Sequence, residues 1–177
     1  MKFNNETLRE AVKEWLDDDK LAELKYGHIS NWDTSDITDM SKMFFEAESF
    51  NQSIGNWDVS NVTNMDGMFR EAKYFNQPIG NCDVSSVTDM SGMFMFAYCF
   101  NQPIEFWDVR SVTDMSCMFL DSHEFNQSIG NWDVSNVEYM SMMFYCAESF
   151  IHPIGDWDVS SVIDLSEPFN GADSLRF

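Results

Sequence analysis

The chain has 177 residues, 44% of them hydrophobic and 15% aromatic, a length that suits one domain and a composition ample for its core. Thirty acidic residues oppose ten basic ones for a net charge of −20, and between Tyr74 and Leu175 the only basic residue is Arg110, set among fifteen acidic ones. That field excludes binding to a nucleic-acid backbone and opposes an anionic membrane surface. No stretch reads as a signal peptide or a membrane span, which predicts a soluble chain, cytoplasmic by default, with no membrane insertion.

Residues 1–28 read as an N-terminal helical cap. Leu8, Val12, Trp15 and Leu16 fall on one helical face, Thr7 and Glu10 have capping-box spacing, and Gly27 is a good terminator. Leu21 and Leu24 extend the apolar surface past Asp17, Asp18 and Asp19.

From residue 29 to 177 one pattern recurs six times at a spacing of 25 residues, with no insertion or deletion. Its columns are Trp32, Trp57, Cys82, Trp107, Trp132 and Trp157; Met40, Met65, Met90, Met115, Met140 and Leu165; and Phe44, Phe69, Phe94, Phe119, Phe144 and Phe169. A second aromatic column runs from Phe50 through Phe75, Phe100, Phe125 and Phe150 to Leu175. Such spacing marks stacked units that bury their apolar faces on one another. In the second unit, Trp57-Asp58-Val59 alternates as a half-buried strand does, with Trp57 and Val59 inward. From Met65 the period changes: Met65, Met68, Phe69, Ala72 and Phe75 form one stripe of a three-turn helix, capped by Asn64 or Thr63 and stopped before Pro78. The expected fold is therefore an α/β solenoid, a leucine-rich-repeat-like right-handed coil of six strand-helix units behind the helical cap. The last unit is degenerate, with Ile163 for threonine and Pro168 for methionine, and reads as a C-terminal cap or a truncation.

The run Phe75-Asn76-Gln77-Pro78-Ile79-Gly80, joined to the pattern Asn56-Trp57-Asp58-Val59-Ser60-Asn61-Val62-Thr63-Asn64-Met65, resembles the BspA-type leucine-rich repeats of mycoplasma lipoproteins and microbial surface proteins. The resemblance covers residue 29 to about 175. It implies a non-enzymatic scaffold, often displayed on a cell surface, and brings no catalytic residues.

The aspartate column, Asp33, Asp58, Asp83, Asp108, Asp133 and Asp158, is the sharpest polar feature. Parallel neighbours would set these carboxylates roughly 4.8 Å apart, a repulsion that something must offset. An Asx turn in which each aspartate bonds its own backbone two residues on is one reading; a ladder of Ca²⁺ sites is another, and a plain acidic docking face a third. The asparagine column (Asn51, Asn76, Asn101, Asn126) reads as a ladder that satisfies turn backbone. The threonines Thr38, Thr63, Thr88 and Thr113 read as solvent-facing turn residues. Cys82, Cys99, Cys117 and Cys146 fall in different columns without C-x-x-C spacing, hence free thiols. His28, His123 and His152 share no column, and no catalytic constellation, phosphate loop or cofactor site can be built, so no enzyme is expected.

The fourth unit departs most from the pattern: Glu105-Phe106 replaces Gly-Asn and Arg110 replaces serine. Phe106, Asp108 and Arg110 are two apart and should share one exposed face, flanked by Asp83 and Asp133. An aromatic and an arginine amid polar neighbours are the residue types of a binding hot spot. The alternative is that Arg110 merely neutralises part of the aspartate column. The expected role is recognition of a protein or glycan partner through this acidic face, by a monomer or an end-to-end dimer. A passive spacer, with or without Ca²⁺, is the other reading.

Overall fold

The computed structural model describes residues 2–167. Two α-helices and one short 3-10 turn open the chain: α1, Asn5–Asp17; α2, Asp19–Tyr26; and Ile29–Asn31. The Asn4 side chain accepts from the Thr7 N–H at 2.9 Å, while the Thr7 hydroxyl oxygen accepts from the Asn4 N–H at 3.0 Å. The capping box thus sits three residues ahead of the expected Thr7–Glu10 pair. Asparagine takes the cap because its carbonyl reaches the orphan amide of the first turn. Leu8, Ala11, Val12 and Trp15 are buried, but Leu16 is half in solvent, and Leu21 and Leu24 face outward instead of enlarging the apolar surface. Asp18 caps α2 through the N–H groups of Lys20 and Leu21, and Gly27 closes it at φ 78°.

Beyond the cap, neither the helix nor the strand of the expected unit forms. Among the described residues there is no β-strand and no further α-helix, so the strand-helix solenoid of leucine-rich-repeat type is not the structure of this chain. The chain runs instead as turns, laid in register on the turns of the next unit. Single-residue parallel bridges join Asp39 to Asn64, Asn64 to Asp89, Asp89 to Asp114, Asp114 to Tyr139 and Tyr139 to Asp164.

The stretch expected to be helical shows why. Its apolar side chains Met65, Met68, Phe69, Ala72 and Phe75 are all buried, as the stripe requires. The backbone, however, turns left-handed at Gly67 (φ 56°) and Glu71 (φ 62°), and two such residues four apart cannot belong to a helix of L-residues. The amides then alternate. Those of Met68, Arg70 and Ala72 donate back three residues, to Met65, Gly67 and Phe69. Those of Met65, Gly67, Phe69 and Glu71 donate forward, to the carbonyls of Asp89, Ser91, Met93 and Met95 in the next unit. A spacing of three and four keeps the same residues inward whether the turns are helical or reverse at every fourth residue.

The Trp57-Asp58-Val59 segment keeps the burial of a strand without being one: Trp57 and Val59 are buried and Asp58 is exposed. Here side chains join the units. Indole N–H groups of Trp57, Trp107, Trp132 and Trp157 donate to the carbonyls of Ile29, Ile79, Ile104 and Ile129 at 2.9–3.3 Å. Asn51, Asn76, Asn101 and Asn126 each accept the backbone N–H one unit on at 2.9–3.1 Å, the ladder read from the sequence. Inside, Phe44, Phe69, Phe94, Phe119 and Phe144 stack at 5.5–5.7 Å, and the second phenylalanine column at 5.8–6.2 Å. Phe169 and Leu175, with which the sequence continues these two columns, and Pro168 of the degenerate last unit lie outside the described residues.

Helix α1 finishes the ladders at the N-terminal end. The Asn5 side-chain carbonyl accepts from the Thr38 N–H at 3.0 Å, the place a main-chain carbonyl takes in later units. Arg9 donates to the Ser41 carbonyl at 2.6 Å and to the Asp39 carboxylate at 3.0 Å. The cap thus supplies side-chain partners to backbone groups that have no preceding unit.

Candidate interaction face

The aspartate column adopts the Asx reading. Each Oδ1 of Asp33, Asp58, Asp83, Asp133 and Asp158 accepts the N–H of the serine two residues on at 3.0–3.2 Å. In the first four, the serine hydroxyl adds a second bond at 2.6–2.7 Å. These bonds hold the carboxyls of Asp33, Asp58, Asp133 and Asp158 below the ordinary aspartate range. Among the described residues no group of three or more His, Cys, Asp and Glu is placed to hold a metal ion, and one oxygen of each of these five carboxylates is engaged by its own turn. A second Asx column, Asp39, Asn64, Asp89, Asp114 and Asp164, accepts the amide two residues on at each bridge.

At Asp108 the serine is replaced by Arg110. The Arg110 N–H donates to Asp108 at 3.2 Å, and its guanidinium grips both carboxylate oxygens at 2.8 and 2.5 Å. This bidentate pair brings the Asp108 carboxyl down to about 2. Exposure alternates along the segment even though no strand forms. Trp107 and Val109 are buried, Arg110 is exposed, and Phe106, at 87%, is the most exposed large apolar side chain among the described residues. Phe106, Asp108 and Arg110 therefore lie on the solvent side of one turn, with exposed Asp83 and Asp133 in the same column as Asp108.

Glu105, the other departure of this unit, has a stacking reason. A Cβ added to Gly55, Gly80 or Gly130 would lie 2.2–2.6 Å from the carbonyl oxygen of Pro78, Pro103 or Pro153 in the following unit. Glu105 and Ser30 stand where that following residue is a serine, Ser128 and Ser53. Glycine thus pairs with proline and a side chain with serine, so Glu105 belongs to packing and not to the face.

Other exposed and half-buried groups escaped the sequence reading. The Arg70 guanidinium lies 5.5 Å over the Phe45 ring, Tyr98 stacks on His123 at 4.9 Å, and Lys73 pairs with Glu48 at 2.6 Å. They occupy the two columns Phe45, Arg70, Met95, Leu120, Tyr145 and Glu48, Lys73, Tyr98, His123, Glu148, which change at nearly every unit. That variation along the chain is the signal that would have found them. All four cysteines are partly buried, and burial pushes the Cys82 thiol up to about 11.

Among the described residues no helix is long and apolar enough to cross a membrane. No curated protein and no solved structure matches the chain. The profile of the family described as "Mycoplasma protein of unknown function, DUF285" matches it twice, over residues 10–107 and 79–176, as expected of a repeated unit. With both matches spanning the 25-residue columns, the chain belongs to the DUF285 family of mycoplasma proteins.

Proposed function

We propose that the chain is a non-enzymatic repeat scaffold that recognises a protein or glycan partner through its acidic face, with Phe106 and Arg110 at the centre and Asp83, Asp108 and Asp133 around them. The observation that carries this reading is Phe106, 87% exposed in the middle of the array and two residues from the Asp108–Arg110 ion pair. Exposure of a whole phenylalanine ring serves no packing purpose, and a desolvated aromatic beside an arginine is what binding hot spots use. Kinship with BspA-type microbial surface proteins is part of the same reading, supported by the resemblance of this chain's 25-residue motif to theirs.

The test is a panel of immobilised glycans and peptides probed with the native chain, Phe106→Ala and Arg110→Ser. Both variants should melt within about 1 °C of the native chain, since exposed substitutions are nearly neutral, and each should lose binding at least tenfold. A ligand bound equally by all three proteins would refute the assignment of the face. A passive spacer is favoured instead by one fact: the aspartates are engaged within their own turns. Its cation-dependent form predicts a Tm rise in millimolar Ca²⁺ over a chelator at matched ionic strength; engaged carboxylates predict none.

A further inference from the structure

The third unit has an uncharged turn. From Met90 to Phe100 it holds no Asp, Glu, Lys or Arg, whereas the corresponding stretch of every other unit holds at least one. Met90, Met93, Phe94, Ala97 and Phe100 are buried in the core. The outward positions carry Met95, Phe96, Tyr98 and Cys99, all half-buried, and Tyr74, 61% exposed, stands one unit back in the Cys99 column. These side chains run together as one surface: Phe96 meets Tyr98 edge-on at 6.5 Å, and Tyr98 stacks on His123 at 4.9 Å. Charge returns on both sides. Lys73 pairs with Glu48 at 2.6 Å and Lys42 with Asp66 at 3.3 Å on one, while Asp121, 3.2 Å from His123, and exposed Glu124 stand on the other. An apolar centre inside a charged margin is how protein interfaces are built.

Two further observations separate this surface from incidental exposure. The outward aspartate and asparagine columns repeat because each makes the same bond in unit after unit, to its own turn or to the next amide. The outward residues here change from unit to unit, so stacking does not call for aromatic side chains among them. Phe96 is also costly where it stands. It sits at φ 59°, in a column whose other members, Glu46, Glu71, Asp121 and Cys146, take 54–62°. A bulky aromatic suits that left-handed backbone poorly, and strain held at an outward residue points to function.

We infer that the outward turn of the third unit is the centre of a second interaction surface, and that its partner is a protein segment presenting apolar side chains flanked by lysine or arginine. Met95, Phe96 and Tyr98 supply the apolar contact. The basic flank follows from charge: Lys42 and Lys73 are already paired, and the surface belongs to a chain of net charge −20. The same charge opposes a second copy of this chain as the partner. A glycan is disfavoured because Met95 and Phe96 offer its hydroxyls no hydrogen bond. The surface does not depend on the Phe106 face.

Phage-displayed random dodecapeptides, selected on the immobilised native chain at about 0.15 M salt to screen weak charge attraction, are the probe. Enriched peptides should combine aromatic or leucine residues with net positive charge and bind one per chain. Phe96→Gly relieves the left-handed backbone, so its Tm should equal or exceed that of the native chain while peptide binding weakens at least tenfold. Tyr98→Ser should weaken binding similarly, and Phe106→Ala should leave it unchanged. Absence of enriched peptides, enrichment of neutral or acidic ones, or full binding by Phe96→Gly and Tyr98→Ser would overturn the inference. So would a lower Tm in Phe96→Gly, which would make Phe96 a residue of the fold. Sedimentation equilibrium of the native chain alone should show a monomer; a dimer lost in Phe96→Gly would put a second copy on this surface and overturn the basic partner.

Discussion

The pairing of glycine with proline between units makes Gly80→Ala the most informative single change. An added Cβ would stand 2.2 Å from the Pro103 carbonyl oxygen, backbone against backbone, where no side chain can swing aside. Comfortable carbon–oxygen contact lies near 3.3–3.6 Å, so the two units must part by about 1 Å. Close by, the Trp107 indole donates to Ile79 at 3.2 Å and the Asn101 amide to Asn76 at 3.0 Å. A 1 Å separation takes both beyond bonding range, at about 1 kcal/mol each, and overpacking strain adds about 1–3 kcal/mol. The total is about 4 kcal/mol, or a fall in Tm of roughly 8–16 °C for a domain of this size. Urea unfolding monitored by tryptophan fluorescence reads it directly. Pro103→Ser alone should cost less than about 1 kcal/mol, and the double variant, which recreates the Ser30–Ser53 arrangement, should recover at least about 1 kcal/mol of the loss as coupling. A Gly80→Ala protein within about 0.5 kcal/mol of the native one, or strictly additive variants, would refute the account.

Left-handed geometry at Cys117 (φ 57°), in the column where Gly67 and Gly92 stand, predicts that Cys117→Gly stabilises by about 0.5–1 kcal/mol in urea, while Cys117→Ala does not. Arg9→Ala should cost about 2–3 kcal/mol by orphaning the Ser41 carbonyl, and hydrogen exchange should quicken first in the unit next to α1. The depressed carboxyls set an acid limit. Their stabilisation is fully present above the unfolded aspartate value of about 4 and is lost as pH falls through the folded one, about 2 at Asp108, so Tm should drop across that window. Asp108→Asn should flatten the drop; an unchanged pH profile would contradict the ion-pair assignment.

Burial could be read from this sequence far better than backbone could. Met65, Met68, Phe69, Ala72 and Phe75 were placed inward correctly because apolar side chains must be buried under either geometry. Nothing in the chemistry of Lys42, Phe96, Cys117 or Cys146 announces a positive φ, and only Gly67 and Gly92 hint at it, so a left-handed turn every fourth residue passed for a helix. Strand formation failed for a related reason: Trp57 and Val59 alternate, but the ladder that joins their unit to its neighbours is made by an indole and an isoleucine carbonyl, which no period-two pattern encodes. The Asx turns were legible because an aspartate two residues before a serine amide needs no distant partner. By contrast, the Arg70–Phe45 and Tyr98–His123 contacts lie across units, in columns where no residue type persists.

The phenylalanine stacks have a consequence for how such a chain changes length. Each ring meets the same ring one unit away, at nearly constant distance and nearly parallel, so every junction between units presents much the same surface to either side. Loss or duplication of whole 25-residue segments by recombination rejoins matching aromatic surfaces wherever glycine still meets proline and a side chain still meets serine, whereas a change of 24 or 26 would throw the tryptophan column out of register. Genes for these arrays can therefore lengthen and shorten in quanta while α1 and its two ladder-ending side chains, Asn5 and Arg9, stay fixed at the start.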